Sequence, residues 1–132
     1  MKNEISKSGL KIKWINYRTG ISQLYIRLET DKKNARVCID LQHKDEGIRA
    51  LFFEQFLELK KVFTQNTTLN WVWEQHYINA NGDEFSRIYT EIDHVNLFDK
   101  STWKEAFNFY KKAMLDFDEF WVDYKDLFLQ LQ

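Results

Sequence analysis

The chain has no proline and only four glycines, Gly9, Gly20, Gly47 and Gly82, each isolated from the others. Isolated glycines exclude a Gly-rich phosphate loop. A single cysteine, Cys38, excludes an intrachain disulfide. Cys38 lies in an apolar alternating run, which marks a buried, inert thiol and fits a reducing compartment. No run approaches the roughly 18 apolar residues of a membrane span. The start, Met1 to Lys11, has no apolar stretch of the kind a signal peptide needs. The expectation is therefore a cytoplasmic chain with no membrane partner. No linker, repeat or low-complexity segment divides the 132 residues. That length suits a single domain, with residues 1–9 expected to be frayed.

Aromatics are abundant instead, at 17% of residues, with 11 Phe, 6 Tyr and 5 Trp. Rings bury the most area per residue and must carry much of the core. They are most ordered between Ser101 and Leu131. There Trp103, Phe107, Tyr110, Met114, Phe117, Trp121, Tyr124 and Phe128 recur at steps of four and three. This is a helical stripe that no Gly or Pro interrupts. Thr102 and Glu105 have the spacing of a capping box. Ala106 and Ala113 flank the stripe and predict close approach by the first half of the helix. Leu115, Val122 and Leu129 form a second apolar line on the later half, more than one contact surface needs. A helix of this length spans about 45 Å. A globule of this size is roughly 36 Å across, so the helix is expected to bend, to break near Lys111–Leu115, or to end on another chain.

Upstream, alternation predicts strands at Leu10–Trp14, Leu24–Leu28 and Val37–Leu41, forming an antiparallel meander. A helix follows, capped by Asp45, with Ile48, Phe52, Phe56, Leu59 and Phe63 on one stripe and a close at Asn66-Thr67-Thr68. Two further strands, Leu69–Ile78 and Phe85–Ile92, flank an Asn81-Gly82 turn read as type I′. The predicted fold is α+β in βββαββα order, a mostly antiparallel five-stranded sheet with tight hairpins and two helices, the C-terminal one long.

The net charge of −1 hides an asymmetry. Residues 1–40 carry nine Lys/Arg against four Asp/Glu, whereas residues 81–132 carry six against eleven. A basic sheet face and an acidic helix can attract each other within the monomer, and the acids Asp116, Asp118, Glu119 and Asp123 read as the helix's solvated face. The basic strands also offer a route to single-stranded nucleic acid, with Trp14, Tyr17, Tyr25 and Arg27 to stack bases and Lys11, Lys13 and Arg18 to meet phosphates. The domain as a whole is not basic, which weakens that reading.

Catalytic signals are faint. His43, His76 and His94 are too widely spaced for a recognisable metal pattern, although His76 can face an acid such as Glu74 or Asp93. No metal ligand set and no cofactor is assigned. Asp31, Asp40 and Lys44 have the loose layout of a metal-dependent nuclease, but Gln42 stands where a second acid belongs. Strand-end polar residues and a helix cap explain them more simply. Residues with a common local setting, able to line a groove, are Tyr17, Arg18, Arg27, Glu54, Trp73, Glu74, Arg87 and Tyr89. Arg87 and Glu74 face each other across the second hairpin and are expected to pair.

Five segments carry a resemblance: Trp14-Ile15-Asn16-Tyr17-Arg18-Thr19-Gly20, Asp31-Lys32-Lys33, Leu51-Phe52-Phe53-Glu54-Gln55-Phe56, Ser86-Arg87-Ile88-Tyr89 and Asp118-Glu119-Phe120-Trp121. Together they resemble a bacterial family known as domain of unknown function 4268. The resemblance implies no catalytic activity. Similar domains stand alone or lie behind nuclease-like domains, which implies an accessory role near DNA-processing or defence systems. Members begin with an additional aromatic-rich helix that this chain lacks. The line Leu115, Val122 and Leu129 is where such a helix, or a second subunit, would pack. The leading expectation is a non-enzymatic interaction module that self-associates through its last helix, as a homodimer or with another protein. An accessory nucleic-acid binder and a degenerate metal nuclease are the alternatives.

Overall fold

The computed structural model describes residues 4, 5, 11, 12, 17–30, 33–96 and 98–132. Alternating residues place four long strands where the sequence puts them: Leu24–Thr30 (β3), Asn34–Leu41 (β4), Trp71–Ile78 (β5) and Glu84–Asp93 (β6). Two short strands precede them, Glu4–Ile5 (β1) and Lys11–Ile12 (β2). The helices are Glu46–Glu58 (α1), Lys60–Gln65 (α2) and Trp103–Leu129 (α3), the last introduced by a 3-10 turn at Lys100–Thr102.

The main sheet has four antiparallel strands in the order β3-β4-β6-β5. This corrects the expected five-stranded sheet. The residues Lys11–Ile12 of the expected first strand pair with Glu4–Ile5 in a separate two-stranded ladder, so they never reach the edge at β3. The expectation of two helices is corrected as well. The first helical stretch breaks at Leu59 (φ −96°, ψ 4°), whose N–H turns to the carbonyls of Gln55 and Phe56. The break re-aims Phe63 edge-on to Trp71, at 5.0 Å, and Trp73, at 5.9 Å. The link from β4 to β5 through α1 and α2 is a crossover, because β6 returns between them.

Local chemistry explains the joints. Asp45 caps α1 by accepting the Ile48 N–H at 3.0 Å. Thr102 does not form the predicted capping box. Its hydroxyl donates to the carbonyls of Asn96 and Asp99, and the Asp99 carboxylate accepts the Ser101 N–H instead. The second hairpin spans residues 79–83, with Asn79 Oδ1 accepting from Asn81 and Asp83. Of its residues only Gly82 has a positive φ, at 85°, so this is a wider loop and not a type I′ turn.

One sheet face is apolar: Leu24, Ile26, Val37, Ile39, Leu41 and Ile88 point into the core. The helices cover it. Phe56 of α1 lies 4.4 Å from Phe128 and 6.3 Å from Trp121 of α3, while Phe117 stacks on Trp121 at 5.5 Å. The Trp121 indole N–H donates to the Thr19 carbonyl at 2.8 Å and pins α3 to the segment entering β3. α3 is one unbroken helix of 27 residues, so of the three outcomes expected of its length a break near Lys111–Leu115 does not occur. No helix among the described residues is long and apolar enough to cross a membrane.

Phe56 is 1% exposed and sits among three rings of α3. Phe56→Ala should cost about 3–5 kcal/mol in urea denaturation. Phe98→Ala, at 76% exposure, should change stability by less than about 0.5 kcal/mol.

Candidate functional site

The eight groove residues divide between several places. Arg27, Glu74, Arg87 and Tyr89 share the sheet face turned away from the helices. Trp73 lies on the apolar face, with an enclosed indole N–H that has no acceptor. Glu54 is exposed on α1, and Arg18 is exposed ahead of β3. Tyr17 packs on α3, edge-on to Phe117, and donates its hydroxyl to Asp118 at 2.6 Å. Burial and that carboxylate push the Tyr17 phenol far above its usual range.

What the polar face holds is an ion network. Asp40, Arg87 and Glu74 are register neighbours on β4, β6 and β5. Arg87 does not pair with Glu74. Its Nε and Nη2 fork onto Asp40 at 2.7 and 2.9 Å, and Nη1 and Nη2 reach Glu29 at 3.1 Å each. The rings of Tyr77 and Phe85 lie 4.4 and 5.1 Å from the guanidinium. Glu74 accepts the Tyr89 hydroxyl. Arg87 is 3% exposed and Asp40 is fully buried. Burial pushes the Asp40 carboxyl up, against the pull of Arg87. The same burial pushes the Cys38 thiol up, as expected of an inert residue.

These contacts bear on the chemical readings. Both Asp40 oxygens are occupied by Arg87, Lys44 is exposed, and Asp31 lies outside the described residues. The acid, acid and lysine of the nuclease layout are thus not brought together among the described residues. The basic face is also partly spent. Arg36 pairs with Glu91 at 2.9 Å, and Arg27 lies over Tyr25 at 4.7 Å. Lys11, Lys13 and Trp14 have no described side chains. On α3, Glu119 and Asp123 are exposed as expected, but two of the acids are not on the solvated face. Asp116 and Asp118 are 7% and 4% exposed, and Asp116 accepts from Thr67 at 2.7 Å and from Lys112 at 2.8 Å.

An apolar concavity lies elsewhere, at the start of α3. It is an apolar cavity of about 180 Å³, its walls including Thr30, Val95, Thr102, Trp103, Phe107 and Tyr110. A cleft of about 500 Å³ adjoins it through Val95, Asn96 and Thr102, and adds Lys33, Asp93, His94 and Asp99. His94 holds a positive φ of 65°, rare for a residue with a side chain. Trp103 and Phe107 stay 37% and 47% exposed although the stripe assigns them to the core. Val122 and Leu129 are also exposed, at 41% and 37%, while Leu115 packs partly against the core. Sequence reading missed the cavity because its walls come from β3, the β6–α3 connection and α3 together.

A family model described as domain of unknown function (DUF4268) matches residues 2–125. No curated protein and no solved structure matches.

Asp40→Ala leaves Arg87 buried with Glu29 alone, and should cost about 3 kcal/mol in urea denaturation. The double variant Asp40→Leu/Arg87→Met should recover most of that loss. A second prediction concerns His43, which stacks on Phe52 at 4.5 Å with Nδ1 enclosed and unpartnered. Burial, then the Arg49 charge, pushes this imidazole below its usual range. The folded state then binds fewer protons than the unfolded chain. The stability is therefore present above about pH 6.5 and lost as pH falls toward the folded value. The urea midpoint should drop between about pH 7.5 and 5, and His43→Gln should flatten that drop.

Proposed function

The chain belongs to the DUF4268 family, a membership that brings no activity with it, and we propose that it is an interaction module that self-associates through the start of α3. The observation that carries this reading is the apolar cavity bordered by exposed aromatics. At about 180 Å³ it is smaller than the roughly 300–1,000 Å³ of sites for whole small molecules. It matches the size of a benzene ring, which fills an apolar cavity of about 150 Å³. One side chain of a partner suits it better than a cofactor.

A knob of that size stands close by in sequence. Phe98 is 76% exposed, five positions before Trp103. A two-fold contact needs socket and knob on one patch, so that each copy's Phe98 enters its partner's cavity. Trp103 and Phe107 would form the rim. This keeps self-association on the C-terminal helix but moves its centre from Leu115, Val122 and Leu129 to the helix start. Nucleic-acid binding is the weaker reading, since Arg36 and Arg87 are neutralised by acids of the sheet itself, which leaves Arg18 and Arg27 exposed.

Light scattering coupled to size exclusion, from micromolar to several hundred micromolar chain, tests the proposal. A dimer should form and be lost in Phe98→Asp and Phe107→Asp. A monomer throughout refutes self-association. A dimer that survives both changes but is lost in Val122→Asp or Leu129→Asp returns the contact to the later half of α3.

A further inference from the structure

We propose a divalent-metal site at the opposite end of the sheet, formed by Glu46, His76 and Glu84. One carboxylate oxygen from each glutamate and a ring nitrogen of His76 lie within 4.8 Å of one another, all on exposed residues. His76 Nδ1 is already 3.5 Å from Glu84 Oε2. Three donors at such mutual separations can close onto one ion at the roughly 2.0–2.2 Å that nitrogen and carboxylate ligands take.

Three separate elements deliver the donors. Glu46 is the first residue of α1, in the turn that Asp45 caps. Glu84 opens β6. His76 comes from the irregular stretch of β5, where the ladder shifts register between Glu74 and Tyr77. A bulge re-aims a side chain that regular pairing would send elsewhere. The Ser86 hydroxyl holds this one by donating to the Gln75 carbonyl at 2.7 Å.

A supporting contact is also present. Arg49, 7% exposed on α1, donates Nη2 to Glu84 Oε2 at 3.2 Å and Nη1 to the carbonyls of His43, at 3.1 Å, and Glu84, at 3.4 Å. It holds Glu84 Oε2, the same oxygen that faces His76 Nδ1, and so fixes the carboxylate beside the imidazole. Its positive charge lowers the net charge of the donor set to −1. That limits affinity for hard ions held by charge alone. One imidazole and two carboxylates, open to solvent, suit a first-row ion such as Zn²⁺ or Mn²⁺ with water completing the shell. The three positions are 46, 76 and 84, too far apart for any sequence spacing rule.

The test titrates metal-free full chain with ZnCl₂ and, separately, MnCl₂, read by calorimetry and by thermal unfolding. The expected result is one equivalent bound with a dissociation constant in the micromolar range, together with a rise in Tm that EDTA reverses. Glu84→Gln and His76→Ala should each weaken binding at least tenfold, and His94→Ala should leave it unchanged. Absence of binding up to millimolar metal overturns the proposal. So does binding that persists in both site variants or disappears in His94→Ala. Co²⁺ absorption gives a readout independent of stability, and should show a ligand-field band that His76→Ala removes.

Discussion

The packing of Phe56 against Phe120, Trp121 and Phe128 is the contact on which the rest of the domain depends. It joins α1 to the later half of α3 and presses both onto the apolar face of the sheet. α3 rises about 40 Å over its 27 residues. A globule of this size is roughly 36 Å across. Once the rings at 117, 120, 121 and 128 have fixed the helix over the sheet, its first turns lie over the end of β3. There Ala106, half-buried, is the inward residue, and a methyl group cannot fill what a ring fills elsewhere. The cavity and the exposed Trp103 and Phe107 are consequences of how the later half of α3 is anchored.

The second face of the sheet solves a different problem. Asp40 and Arg87 are direct partners on β4 and β6, both withdrawn from water. A buried ion pair adds little net stability, because desolvation cancels most of the attraction. Its effect is on register. A slip of one residue would turn the charge of the slipping strand toward the aromatic core and leave the other buried without its partner. Glu29 and the rings of Tyr77 and Phe85 complete the shell around Arg87. The central pair of strands is thus specified from both faces, by apolar residues on one and by charge on the other.

Alternation and helical spacing make the four long strands, the Asp45 cap and the helical stripe of α3 legible, since these are local properties of the chain. Failures occurred where a partner distant in sequence decides the outcome. Lys11–Ile12 looks like a strand and is one, but which strand it pairs with is not written in its own alternation. Asp116 and Asp118 read as solvated because they are charged, and only Thr67 and Tyr17, brought in from 49 and 101 residues away, explain their burial. Glu74 and Arg87 stand opposite each other as the hairpin predicts, yet Arg87 is drawn to Asp40 by a bidentate fit that Glu74 does not match. The stripe on α3 gave the correct face but not the depth of each residue, so Trp103 and Phe107 were assigned to a core they do not reach.

The geometry of β6 ties the two proposed surfaces together. Glu84 stands at its first residue and Asp93 at its last, a separation of about 30 Å at 3.3 Å per residue. The metal donors cluster at the first end, and the cleft with its apolar cavity lies at the second. A two-fold contact through the cavity would leave both metal positions facing outward at the far ends of the assembly. Each surface can therefore be occupied without steric consequence for the other. Two routes join them: β4 and β6 through the Asp40–Arg87 pair, and α1 through Phe56 to the rings of α3.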